Sequence, residues 1–218
     1  MALLNLTPDE LLTTTRAVRK RLDFSREVPD ELIRECVVAA LQAPSGSNSL
    51  TMNFVVVKDE AKRKAIGQVY ADCWAIYEKS PMFAGAIKKE GNDEQAQQDR
   101  VVDSATYLAS RMGDAPALVI ACNGGARTEN MPGWVASSLL GNILPAMWSF
   151  MLAARARSLG TAWTTIHLMQ EQRVADIVGI PFDSVQQVCL SPLAYTLGTD
   201  FKPVLRPAPD SVIHWDTW

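Results

Sequence analysis

The chain has 218 residues, 48% of them hydrophobic, with a formal net charge of −3 and an isoelectric point of about 5.4. This length and apolar content suffice to bury a core and exclude a disordered chain. The mild acidity excludes a global basic field for nucleic acid or an anionic membrane, so any anionic ligand must be held by a local cluster.

In chain order, Thr7-Pro8-Asp9-Glu10 is a helix start, with a capping hydroxyl, a first-turn proline and an acid three residues on, and it predicts a helix to about residue 15. A second start at Val28-Pro29-Asp30-Glu31 predicts a helix with Leu32, Cys36, Val37, Ala40 and Leu41 on one face, ending at Ala43-Pro44. The small polar stretch "APSGSNSL" follows, then the β-branched strand "NFVVVKD". Residues 60–79 are amphipathic and helical. Residues 80–98 are weakly patterned and read as a mobile cover or a helical excursion.

Helix returns over 99–115, "PALVIAC" is a buried strand, and a long apolar helix spans about 134–158. That helix approaches membrane-spanning length, but Asn142, Pro145 and Ser149 interrupt it, which favours a buried helix or a subunit interface. "LGTAWTTIH" reads as a strand, "QEQRVADIVG" as a short helix stopped by Gly179, and residues 184–198 as the last strand. The proline-rich residues 201–218 form an extended arm, too apolar to stay uncovered and suited to wrapping a partner subunit. The whole is one α+β domain over 1–218, with no internal repeat.

Cys36, Cys73, Cys122 and Cys189 show no metal-ligand spacing and read as reduced thiols of a cytoplasmic protein. The opening residues carry no secretory signal. Two distant histidines, His167 and His214, support neither a metal centre nor a Ser-His-Asp triad.

Four stretches could hold a ligand. In "TRAVRKR", Arg16 and Arg19 lie three apart and can grip an anion from one side, or form a solvated basic turn. In "PSGSNS", Pro44, Ser45, Gly46, Ser47 and Asn48 offer hydroxyls, an amide and accessible backbone N–H groups, or simply a turn. "GTAWTTIH" is either a core strand or a strand edge whose backbone meets a flat cofactor, and Lys202 and Arg206 in the arm hold a phosphate or make surface ion pairs. Neither a Rossmann fingerprint nor a P-loop occurs.

The order of "TRAVRKR", "APSGSNSLTMNFVVV", "AARARSLGTAWTT", "PLAYTLGTDFKPVLRP" and "SVIHWDTW" resembles the nitroreductase family of FMN-dependent oxidoreductases over essentially the whole chain. The likeness is greatest to actinobacterial members sharing the "TTTR.VRKRLDF" opening. The resemblance implies a nitroreductase-like α+β fold, with a mainly antiparallel sheet flanked by helices, in an intertwined homodimer with two FMN sites at the interface. It further implies that Arg16, Ala17 and Val18 meet the phosphate and ribityl chain and Arg19 the flavin N1/O2 edge. Pro44, Ser45, Gly46, Ser47 and Asn48 would come from the other subunit, the backbone near Thr164 and Thr165 would lie beside N5, and Arg206 would close on the phosphate.

The implied activity is hydride transfer from NAD(P)H through flavin N5 to a flat acceptor such as a nitroaromatic or a quinone, without a catalytic side chain, a metal or a nucleic-acid partner. A flavin-sequestering protein without turnover, and a specialised reductase or dehydrogenase using a donor such as a deazaflavin, are the alternatives. Two positions depart from the common pattern. Ala17 replaces a serine, and Leu50, Thr51 and Met52 stand where a glutamine or an aromatic is frequent.

Overall fold

The structure, a computed structural model, describes residues 3–218. Helix α1 (Pro8–Thr14) begins at the expected capping box, where Thr7 Oγ1 accepts the Glu10 N–H and the Glu10 carboxylate accepts the Thr7 N–H. The chain continues through β1 (Leu22–Asp23), α2 (Asp30–Ala40), β2 (Met52–Val57), α3 (Glu60–Tyr77), α4 (Asn92–Arg111) and β3 (Ala117–Gly124). It closes with α5 (Gly133–Ala156), β4 (Leu159–Thr161), α6 (Glu171–Val178) and β5 (Val185–Thr196).

The sheet runs in the order β1-β5-β3-β2, with β4 also on β5, and every ladder is antiparallel. Strand β3 is apolar without alternation because both its faces are covered. Its Leu118, Ile120 and Cys122 join the cluster under α3, α4 and α6, while Ala117, Val119 and Ala121 join the one under α2 and α5. Period-two geometry thus splits one strand between two cores.

Three expectations change. Helix α4 starts at Asn92, so the second half of the weakly patterned segment is helical, its apolar stripe broken by the polar face it turns outward. The segment before it is tied at Ala84, whose N–H donates to the Tyr77 hydroxyl (2.9 Å) and whose carbonyl accepts from Gln98 (2.6 Å). "LGTAWTTIH" is a strand for three residues only. After Thr161 the chain keeps one bridge, Thr164 to Leu190, and turns into a 3₁₀ helix at Ile166–Gln170. Helix α5 is long and apolar enough to cross a membrane by length and composition, yet only 33% of its apolar window is buried within this chain. Its second half packs in the core through Ile143, Met147, Phe150 and Met151, and its first half leaves Trp134 77% exposed.

Residues 201–218 are mostly exposed and form no strand, with one 3₁₀ turn at Pro209–Ser211.

Candidate functional site

Glycine sets the wall of the site. A Cβ on Gly160 would lie 2.8 Å from side-chain carbons of Leu22 and Thr196 and 3.0 Å from Val18, so only glycine lets the 17–22 segment lie flat on β4. Val18 N–H then donates to the Thr161 carbonyl (2.8 Å), and Val18 is buried in the core. With Val18 pointing inward, its neighbours Ala17 and Arg19 line a cleft on the other side. Val18 itself anchors this wall and is not among the residues that line the cleft.

The cleft has a volume of about 630 Å³ and brings Arg16, Ala17 and Arg19 together with Lys202 and Arg206 of the arm. Trp148 and Met151 of α5 and Trp163 supply apolar surface. No acidic residue lines it. Arg16 Nη1 donates to the Lys202 carbonyl (3.1 Å), which ties the arm to the turn. Burial, then Arg206 and Arg100, lower the Arg16 pKa, the signature of cations crowded without a counter-charge. Arg16, Arg19, Arg100, Lys202 and Arg206 make no ion pair among the described residues.

Arg19 is half-buried and donates to Ser104 Oγ of α4 (3.3 Å). Burial lowers its pKa while nearby Tyr70 opposes the shift. Burial pushes the Tyr70 hydroxyl up to about 12, while Thr164 and Arg19 nearby oppose the shift. Arg19 and Thr164 are therefore both neighbours of Tyr70, a link that no sequence spacing shows.

Near Thr164 and Thr165, where the resemblance places the backbone beside N5, the two N–H groups differ. Thr164 N–H and hydroxyl both donate to the Leu190 carbonyl (3.0 and 2.6 Å), so neither is available. Thr165 is exposed, and its N–H has no partner among the described residues. His167, two residues on, is fully buried with both ring nitrogens unpaired, and burial holds its pKa down at about 3. It is a neutral core group.

The serine loop stands elsewhere. Gly46–Asn48 form a 3₁₀ turn with Ser47 and Asn48 in the left-handed region (φ 54° and 53°). Asn142, buried on α5, holds this turn: its Oδ1 accepts the Gly46 N–H (2.7 Å) and its Nδ2 donates to Thr51 Oγ1 (3.1 Å). The side chains of Ser45, Ser47 and Asn48 make no hydrogen bond, and neither they nor Pro44 and Gly46 border the arginine cleft. Within one chain the two predicted halves are separate.

Sequence reasoning missed four contributors. Asn142 reads as an interruption of an apolar run, though a lone amide in such a run is itself a signal of a buried hydrogen-bonding task. Gln97, Arg100 and Ser104 lie at helical spacing on one face of α4, a signal hidden while residues 80–98 had no assigned structure.

A protein of Methanothermobacter thermautotrophicus with the provisional name NADH dehydrogenase/NAD(P)H nitroreductase is 26% identical over 189 residues, 85% of this chain and 75% of its own. Among solved structures, the FMN-dependent nitroreductase NfnB of Mycobacterium smegmatis in complex with NADPH matches with a TM-score of 0.66 at 17% identity, covering 95% and 97% of the two chains. A BluB-like flavoprotein from Clostridium difficile 630 matches at 0.70 and 15%, covering 97% and 99%. These structural likenesses speak for the fold. The family model described as "Nitroreductase family" matches residues 12–198, a span that runs from the arginine turn through both cores to the end of the last strand, and the chain belongs to that family.

Proposed function

We propose that the protein is an FMN-dependent oxidoreductase that takes hydride from NAD(P)H and delivers it to a flat acceptor, a nitroaromatic or a quinone. The observation carrying this reading is the cleft of about 630 Å³ lined by three arginines and a lysine, with two tryptophans and no acid. That donor set fits a molecule with a phosphate at one end and an aromatic ring at the other. When bound, FMN supplies a ring that accepts and releases hydride, which no side chain of this chain can do.

The chain's own groups bind and orient. Arg16 and Arg206, with Lys202, hold the phosphate. The Arg19 guanidinium cannot lose its proton in this setting and stabilises negative charge that gathers at the ring edge on reduction. The free N–H of Thr165 is the available backbone donor on the ring side, and Trp163 walls the cleft. Ala17 gives up a hydroxyl to the phosphate, which Lys202 offsets with its charge.

The serine loop completes the site from a second copy. Ser47 and Asn48 are exposed and Ser45 half-buried, none with a side-chain partner among the described residues, and α5 leaves Trp134 and part of Trp148 uncovered, so a homodimer would cover both regions at once. We place the protein in the cytoplasm, where its four buried cysteines remain thiols.

Anaerobic addition of NADH, NADPH or a reduced deazaflavin to the yellow purified protein tests the reading. Bleaching of flavin absorbance by NADH or NADPH is expected, followed by recovery with a quinone. Bleaching by dithionite alone would identify a flavin-holding protein, and bleaching by the deazaflavin alone would reassign the donor.

A further inference from the structure

A second cleft of about 560 Å³ adjoins the first and shares its Arg16, Ala17 and Arg19 wall. Its far side is helix α4, which presents Asp93, Gln97, Arg100 and Ser104. Residues 97, 100 and 104 are three and four apart, so they form one stripe along the helix. Gln97 does not face the opening freely. Its Oε1 accepts the Leu205 N–H (3.1 Å) and its Nε2 donates to the Leu205 carbonyl (3.4 Å), which straps residues 203–205 of the arm onto α4. Arg206 lines the first cleft and Arg100 the second.

The charges do not balance with one ligand. The proposed phosphate in the first cleft is at most a dianion, and Arg16, Arg206 and Lys202 already exceed it. Arg100 is then surplus, with Asp93 the only carboxylate lining its cleft and no ion pair to it. The depressed Arg16 pKa, to which Arg100 contributes, records the same excess. An uncompensated arginine beside a hydroxyl, on the wall of an open cleft that abuts the cofactor site, fits a carboxylate or phosphate on the molecule that exchanges hydride with the ring.

Resting on the oxidoreductase reading, we propose that the cleft between α4 and the 203–205 strap is an anion subsite for the exchanging substrate, with Arg100 as its principal ligand and Ser104 beside it. The preferred donor or acceptor therefore carries an oxyanion in addition to its flat reacting ring. The 2′-phosphate of NADPH and the carboxylate of an aromatic acid are the two sources of that chemistry.

Calorimetric titration of the FMN-loaded protein with adenosine 2′-monophosphate, with 4-nitrobenzoate and with neutral nitrobenzene tests this. Arg100 is exposed on α4, so R100Q leaves the fold intact. The loss of one charge-assisted contact weakens an anionic probe about tenfold or more, with nitrobenzene shifted less and the FMN dissociation constant within about threefold. Loss with the nucleotide assigns the subsite to the donor, and loss with the benzoate assigns it to the acceptor. S104A should give a smaller loss with the same probe. Equal binding of both anions to wild type and R100Q, or no binding to wild type, overturns the subsite. A colourless protein before the first injection would instead remove the flavin reading on which the subsite rests.

Discussion

In the arginine cleft the two arginines of the turn have already met part of their own chain: Arg16 the Lys202 carbonyl, Arg19 the Ser104 hydroxyl. In the serine loop the reverse holds, because Asn142 and the turn satisfy the backbone while Ser45, Ser47 and Asn48 offer side chains to nothing in this chain. One region is held ready by intrachain contacts, the other by its backbone alone. On the proposed reading, the difference is that of a site positioned by the fold and completed only by a second copy.

The strongest way to break this comparison is to remove the cation that anchors the first region. If Arg16 holds the phosphate through two charge-assisted contacts of about 1.5 kcal/mol each, R16A weakens FMN binding on the order of 100-fold, read from quenching of FMN fluorescence. A change under about threefold would remove Arg16 from the phosphate site.

A co-expressed heterodimer of R16A and a loop variant, S45A/S47A/N48A, sharpens it. If the loop serves the neighbour's cofactor, one site loses both halves and the other keeps both, so about half the FMN content survives. If the loop serves its own chain, each site is damaged once and almost none survives. FMN content per heterodimer distinguishes the two.

Asn142 tests how the loop is held. N142A leaves the Gly46 N–H and the Thr51 hydroxyl without their buried partner and should cost about 2–4 kcal/mol in denaturant unfolding. If the side chain only fills space, N142L would restore that stability. The unsatisfied Gly46 N–H and the lost contact to Thr51 Oγ1 predict that it does not.

How much of this the sequence tells depends on whether the signal is local. The Thr7 capping box, the Gly179 stop at φ 80° and the apolar run of β3 are consequences of neighbouring residues, and all three stand where the sequence puts them. The start of α4 is not, because its docking rests on Gln98 with Ala84 and Gln97 with Leu205, contacts up to 108 positions apart. Likewise Arg16 and Arg19 could be read as a pair from spacing, but Tyr70, Arg100 and Arg206 meet them only through the tertiary fold. Thr164 shows the same limit, since only the tertiary fold brings Leu190 opposite its N–H.

Acid should separate the cleft from the core behind it. The arginines of the cleft do not titrate in the working range, whereas His167 has a folded-state pKa of about 3 against about 6.5 when unfolded. Between those values the unfolded chain binds a proton that the folded chain refuses, so stability falls as pH drops below about 6.5. The loss is about 1.4 kcal/mol per pH unit, or about 2 kcal/mol at pH 5. The stability difference between wild type and H167L should shift by that amount from pH 7 to pH 5. A constant difference would mean that His167 takes up its proton in the folded state.

The smallest expected effect bears most directly on the loop. Ser47 occupies φ 54°, a conformation that costs a non-glycine residue about 1 kcal/mol, and its hydroxyl forms no bond in the chain. S47G relieves that cost but adds a similar amount of unfolded-state entropy, so the two should cancel to within about 0.5 kcal/mol. S47A keeps the backbone strain and removes only the hydroxyl, so its stability should also match wild type. The chain's own fold then has no need of serine here. If both variants unfold like wild type while S47A lowers FMN affinity about threefold to tenfold, the hydroxyl serves a ligand that a second copy presents. If S47A instead loses stability and leaves FMN affinity unchanged, the loop belongs to the fold of its own chain, and the contrast with the arginine cleft fails.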